Sequence, residues 1–430
     1  MQTVVWLLVS ALVIVWTQRR PSLLVTFVLI TYLSVPSVAR GIFVGAGVPL
    51  HPGTILALLA LFFVSITRTR SLVKSVSPVG AKVFFLSLLV SHAAIVTLAG
   101  TGVVGLLMNV LVGPISLLIL VLVAFHEEGR IAGDRIGKGM LFMAALQAIL
   151  AIIQVTQKRT IFYEDQYPRF YWFSAERFSR GLGTLDSALD LSFLLVVAIP
   201  LCLLLRRISV RLALATLLTI GVFTTQSRMG VLLALLGLAF VVVRGGNFKV
   251  RFFAAVGMVV ALGFILNSSF GKDFISRAEN ASGSTSRRME ALEFIVGNVF
   301  ENAVIGGGLN SSYGLKQSSI LGSSLENGWA MYAYDFGWVA ALLYLLILVS
   351  VLVSGLLSHE WMSSTMLALA IIMVSGYSSI MTQGSSSVLT FLIAGLVMGG
   401  VNNRDVSNVF LQSADTELVD LSMKAVGKRN

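Results

Sequence analysis

The chain has 430 residues, of which 56% are apolar and only 12% charged, with a mean hydropathy of +0.89. A soluble domain carries about 25% charged residues, so this composition excludes a large soluble enzyme, a disordered chain and a nucleic-acid binder. The net charge of +11, from 31 Lys and Arg against 20 Asp and Glu, therefore reads as membrane topology and not as a polyanion-binding surface.

Windows of about 19 residues predict thirteen spans, at 3–17, 22–39, 53–67, 83–99, 102–124, 139–157, 187–205, 210–224, 229–243, 252–268, 336–354, 361–381 and 387–400. Residues 4–16 have no basic n-region and no small-residue cleavage site, which makes this run a span and not a cleaved signal; without it the count is twelve. Cys202, the one cysteine, excludes an intrachain disulfide and a Cys-based zinc site. The expected fold class is an all-α polytopic membrane protein of 12–13 transmembrane helices, lying in a lipid bilayer, with one large external loop. Its organisation reads as N-terminal helices (1–157), an external loop (158–184), central helices (185–268), a large external loop (269–335), C-terminal helices (336–400) and a cytoplasmic tail (401–430).

Basic residues set the orientation. With the N-terminus outside and the C-terminus inside, nineteen of the 31 fall in internal segments and two, Arg40 and Arg228, in short external loops. The other ten break the pattern: Lys158, Arg159, Arg169, Arg177 and Arg180 in the first long external loop, and Lys272, Arg277, Arg287, Arg288 and Lys316 in the second. They fit either a solvated loop or an external anion-binding site.

Walker A and strand-linked GxGxxG sequences are missing, and His51, His92, His126 and His359 are scattered without metal-ligand spacing. No metal or nucleotide cofactor is expected. In the first long loop, Arg177 and Arg180 accompany Tyr163, Tyr167, Phe170, Tyr171, Trp172, Phe173 and Phe178; such rings stack on sugars but also populate membrane interfaces. Ser227-Arg228 occupies a short turn between apolar helices, where an arginine must be paired or hydrated.

In the second loop, residues 286–300 have helical periodicity, with Met289, Leu292, Ile295, Val296 and Val299 on one face. This predicts an interfacial amphipathic helix. Arg287 and Arg288 lie in its first turn, where helix N–H groups and guanidiniums together suit phosphate; lipid headgroups, or Glu290 and Glu293, are the competing partners. Gly306-Gly307-Gly308 is a hinge or a phosphate cradle. Glu326 and Asp335, with Asn327 between them, are carboxylates placed to act as a base or to cap a helix.

Taken in order, Arg180-Gly181-Leu182-Gly183-Thr184, Gln226-Ser227-Arg228-Met229-Gly230, Ser286-Arg287-Arg288, Gly306-Gly307-Gly308 and Glu326-Asn327 resemble the O-antigen ligase/polymerase family. The motifs cover about residues 170–345, and hydropathy carries the likeness elsewhere. The resemblance implies a GT-C-like membrane glycosyltransferase of the bacterial cytoplasmic membrane. It implies an undecaprenyl-diphosphate-linked oligosaccharide substrate, a site on the external side and no cofactor, and it makes a chain-length regulator a candidate partner. Arg180, Arg228, Arg287, Arg288 and Glu326 take the catalytic positions; Arg177, Tyr171, Trp172, Gly306, Gly308, Asn327 and Asp335 take the substrate-binding ones. The single family arginine of the amphipathic helix fits Arg287 or Arg288. Where the ligases keep a histidine before the asparagine this chain has Glu326, which favours a Wzy-type O-antigen polymerase over a ligase. A lipid-linked glycan transporter is the reading from another class; the charge-free centres of the spans count against it.

Overall fold

The computed structural model describes residues 1–169, 173, 179–244, 263, 293, 294, 297, 305–317, 327–376 and 385–403. Among these the chain is all-α, with no strand. The elements are α1 (Gln2–Thr17), α2 (Pro21–Ser34), α3 (Arg40–Val44), α4 (Pro52–Thr67), α5 (Thr69–Val76), α6 (Gly80–Ala99), α7 (Val104–Leu107), α8 (Gly113–Glu128), α9 (Arg130–Gln157), α10 (Ala188–Ala198), α11 (Ile208–Thr224) and α12 (Arg228–Arg244). After the second long loop come α13 (Ser311–Gln317), α14 (Gly328–Phe336), α15 (Trp338–Leu357), α16 (Trp361–Ser375) and α17 (Ser385–Asn403). Among the described residues, five helical runs are long and apolar enough to cross a membrane, or six if one bent pair is counted as a span. Five further apolar helices have 10–17 residues.

Local chemistry explains the breaks. Pro21 and Pro52 open α2 and α4 at the first helical position, where a missing N–H costs nothing. Gly129 takes φ +62° between α8 and α9. The expected span 22–39 is not one helix. Val35 is extended before Pro36, as the proline ring demands of its predecessor, and Pro21–Ser34 and Ser37–Val44 meet at 91°. Residues 69–76, expected in an inner loop, form α5. The expected span 252–268 lies outside the described residues except for Gly263.

Two helices form the centre. All but one residue of α10 are buried, and 89% of the most apolar window of α17 is buried inside the bundle. A polar contact joins them, Ser386 Oγ donating to Asp190 Oδ1, and Ser387 Oγ donates to the Val110 carbonyl in the turn before α8. Such buried groups are tolerable because each is bonded.

The loops sort to opposite ends of the bundle. At one end Ser22 N and Oγ donate to Glu128 at 2.9 and 2.6 Å, Arg135 pairs with Glu128, Arg68 with Glu127, and Arg130 with Glu360 at 3.7 Å. These three arginine–glutamate pairs and the Ser22 contact belong to segments assigned to the inside. Described parts of the segments assigned to the outside are bonded to the bundle or to each other, Ser37 to Asp186, Arg180 to Thr225 and Leu309 to Thr101, and the candidate site is built from them.

Candidate functional site

The first long loop returns to the bundle as a strap. Gly181 N donates to Thr224 O at 3.0 Å, Arg180 Nε to Thr225 O at 2.8 Å, and Gln226 Nε2 to Ser179 O at 3.1 Å. Residues 179–181 are thereby tied to the turn between α11 and α12. Ser227 Oγ accepts from Gly230 N at 3.1 Å and caps α12. Arg228 follows in the first helical turn, exposed. A cation there adds to the positive end of the helix dipole, an arrangement that favours an anion. The strap therefore ties the segment that carries Arg180 to the turn that leads into α12 and Arg228.

Two glutamines of α9 hold the glycine-rich turn behind Arg180. Gln154 Oε1 accepts from Leu182 N at 3.0 Å and Gly183 N at 2.9 Å, while its Nε2 donates to Gly183 O at 2.7 Å. Gln147 Oε1 accepts from Thr184 N at 2.8 Å, and its Nε2 donates to Leu33 O at 2.9 Å and to Thr184 Oγ1 at 2.6 Å. Thr184 Oγ1 in turn donates to Leu33 O at 2.7 Å. Gly183 has φ +62°, and a Cβ there would lie 2.1 Å from Gln147 Oε1. The N–H groups of residues 182–184 are spent on the two glutamines and that of Gly181 on Thr224 O, so the turn's glycines serve packing. Sequence reasoning missed Gln147 and Gln154. Their signal was two amides seven residues apart in an apolar helix, which can be buried on one face only if bonded.

Beyond this turn lies a carboxyl pair that sequence reasoning also passed over. Asp186 accepts from Ser37 N at 2.5 Å and Ser37 Oγ at 2.7 Å, capping the helical turn that leads into α3. Asp190 accepts from Ser187 Oγ at 2.6 Å and from Ser386 Oγ. Burial first, and then the neighbouring Asp190 charge, push the Asp186 carboxyl up to about 7 against the lowering by Ser37 and Arg40.

The aromatic residues of the first loop brace it. Tyr163 Oη donates to Ser34 O at 3.0 Å and Tyr167 Oη to Leu185 O at 2.9 Å, and Tyr167 stacks on Phe173 at 5.7 Å. Tyr167 is fully buried. Tyr171, Trp172 and Arg177 lie outside the described residues.

The end of the second loop is clasped. Gly307 N donates to Tyr334 O at 3.1 Å and Gly308 N to Asp335 O at 2.9 Å. The Asp335 carboxylate accepts from Asn310 N at 2.9 Å, Ser311 Oγ at 2.9 Å and Ser312 N at 2.8 Å. Thr101 Oγ1 donates to Leu309 O at 2.7 Å, and Leu309 N to Thr97 Oγ1 at 3.2 Å, joining the segment to α6. A Cβ on Gly306 would lie 2.3 Å from the Asp335 carbonyl, so this backbone contact requires glycine. Asn327 Oδ1 caps α14, accepting from Trp329 N at 3.0 Å and Ala330 N at 3.2 Å. Gly306, Gly308, Asn327 and Asp335 thus act here on the chain itself, fixing where the second loop ends.

Helix α16 connects clasp and strap. Trp329 Nε1 donates to Ser375 Oγ at 3.2 Å, and Met229 packs against Gly376, one residue from Arg228. Arg287, Arg288 and Glu326 lie outside the described residues. Within 286–300, Glu293, Phe294 and Gly297 are described and helical, with Glu293 exposed and Phe294 packed against the core.

Residues 212–345 match the family profile described as O-antigen ligase. No curated protein matches the chain. The profile match supports the O-antigen ligase/polymerase family, whose members are membrane glycosyltransferase-like enzymes acting on lipid-linked glycans. It takes in the α11–α12 turn with Arg228 and the clasp with Asp335, and it leaves Arg180 outside.

Proposed function

We propose that this chain is an inverting, metal-independent glycosyltransferase that polymerises polyprenyl-diphosphate-linked oligosaccharide repeats at the external face of the bacterial cytoplasmic membrane. The observation that supports the reading is the strap, which ties the Arg180 segment to the turn that opens α12 just before Arg228. A hydroxyl of the acceptor sugar attacks the anomeric carbon, forming a C–O bond as the C–O bond to the diphosphate breaks. The hydroxyl proton goes to Glu326. The electron pair leaves on the diphosphate, whose charge Arg180, Arg228 and either Arg287 or Arg288 neutralise. Tyr171, Trp172 and Arg177 border the glycan in this scheme.

Single alanine substitutions at Arg180, Arg228, Arg287 and Arg288 test it by polymer length on gels. Loss of a preorganised cationic contact slows turnover by about 10²–10³-fold; normal polymer from all four normally expressed variants sinks the scheme. A ligase that passes finished polymer to lipid A-core or another acceptor is the second reading, since the family includes both activities. Gene disruption separates the two: loss of a polymerase leaves single repeats on the acceptor, and loss of a ligase leaves none. A transporter is excluded if the purified protein elongates lipid-linked repeats in detergent.

A further inference from the structure

The 91° break after α2 lays the segment Ser37–Val44 across the same end of the bundle as the strap, and Arg40 stands at its first α-helical turn. This arginine is half-buried, and among the described residues its one hydrogen bond is a long contact from Nη1 to Ser37 O at 3.5 Å. A guanidinium has five N–H donors in a rigid fork. Nearly all of that capacity is unspent, although the group is partly withdrawn from water. Asp186 does not use it: both carboxylate oxygens are engaged by Ser37, so Arg40 acts on Asp186 through space only. The other titratable group that feels Arg40 is His51, whose ring is occupied by Val35 O and Gly53 N.

Asp186 also fixes where Arg40 sits relative to the strap. It caps the turn that carries Arg40, and it lies just past the glutamine-held turn 182–184, which begins two residues after Arg180. Arg40, Arg180 and Arg228 are thus referenced to one rigid unit from three different connections. We propose that Arg40 is a further binding residue of this site, a guanidinium that contacts the diphosphate of the lipid-linked substrate, with Asp186 as its positioning residue. The inference rests on the glycosyltransferase reading above, because that reading supplies the diphosphate.

The test uses the full chain in detergent micelles. Binding of undecaprenyl diphosphate, inorganic pyrophosphate and phosphatidylglycerol is measured for wild type, Arg40→Gln, Arg40→Lys, Asp186→Asn, the Arg40→Gln/Asp186→Asn double variant and Arg228→Ala, alongside melting without ligand. Loss of a charge-assisted contact predicts about tenfold weaker binding of undecaprenyl diphosphate and of pyrophosphate in Arg40→Gln. Arg40→Lys regains part of it, and the double variant stays weak. Arg40→Gln that melts lower, regains wild-type melting with Asp186→Asn and keeps full affinity overturns the proposal, since Arg40 would then only balance the buried carboxyls. Equal weakening toward phosphatidylglycerol also overturns it, by making Arg40 a general headgroup contact. If Arg228→Ala abolishes diphosphate binding and Arg40→Gln leaves it intact, this inference fails and the glycosyltransferase reading survives. If wild type binds neither diphosphate, the reading itself fails and takes the inference with it.

Discussion

Asp335→Ala separates a carboxylate that fastens the loop from one that waits for substrate. Three donors converge on Asp335: Asn310 N, Ser311 Oγ and Ser312 N. Bonds of this charged type contribute about 1.5–3 kcal/mol each. Burial opposes them and pushes the carboxyl from 3.8 up to about 6. That rise is worth about 3 kcal/mol against the charged form. Alanine leaves Ser312 N buried without its acceptor, so the expected net loss is about 2–4 kcal/mol. Asparagine keeps an acceptor and removes the buried charge, for a loss of about 1–2 kcal/mol.

The sign of the pH dependence follows from linkage. Between about pH 4 and 6 the folded state holds the proton that the unfolded state has released, so wild-type stability falls as pH rises through this window. Asparagine lacks that decline. Melting of the purified protein in detergent at pH 4.5 and 7.5 reads both effects, with the gap between wild type and Asp335→Asn expected to narrow at the higher pH. Alanine that melts within a degree of wild type, or a gap that widens with pH, refutes the fastening role. The first result would mean that the loop end does not depend on this carboxylate, and the second that the folded state favours its charged form.

Gly183→Ala forces a left-handed residue to carry a Cβ against Gln147 Oε1 and is expected to cost about 2–3 kcal/mol in the same melting assay. Gln154→Leu keeps volume but strands Leu182 N and Gly183 N; a loss of about 2 kcal/mol or more is expected, and faster proteolysis of the 158–184 loop should report it. Asp186, with its carboxyl raised to about 7, makes wild-type stability fall as pH climbs from about 4 to 7 and then level off. Asp186→Asn should flatten that slope, as melting across pH 4–8 would show.

Hydropathy and charge counting carried the fold a long way, since a chain this poor in charge has few ways to satisfy its backbone other than helices. The helix starts at Pro21, Pro52 and Ser187 and the grouping of inner arginines with Glu127, Glu128 and Glu360 follow from local rules. Hydropathy averages over single residues, however, so Pro36 vanished inside an apolar window and the 91° break with it. At the site, Arg180 and Arg228 could be singled out by where they fall, but not their connection, which runs through the carbonyl of Thr225 and is invisible to side-chain patterns. Gln147 and Gln154 were illegible for the opposite reason. Each is an isolated amide in an apolar helix, and its meaning depends on backbone donors about 30 residues away in sequence. Asp190 lies in the first turn of α10 and Asp186 just before it, where acidic residues are common and mark no site.

Connecting segments usually absorb insertions, because nothing measures their length. The one behind Arg180 is measured. Gln147 and Gln154 stand two helical turns apart, about 10.5 Å along α9 at 1.5 Å per residue, and they grip Thr184 and Gly183 in turn. An irregular strand of chain therefore inherits its spacing from the pitch of a helix. One residue added or removed between Arg180 and Asp186 would leave amides facing the wrong partners in an apolar interior. This stretch is thus bound in length as a helix face is, and at Gly183 and Thr184 in side chain as well.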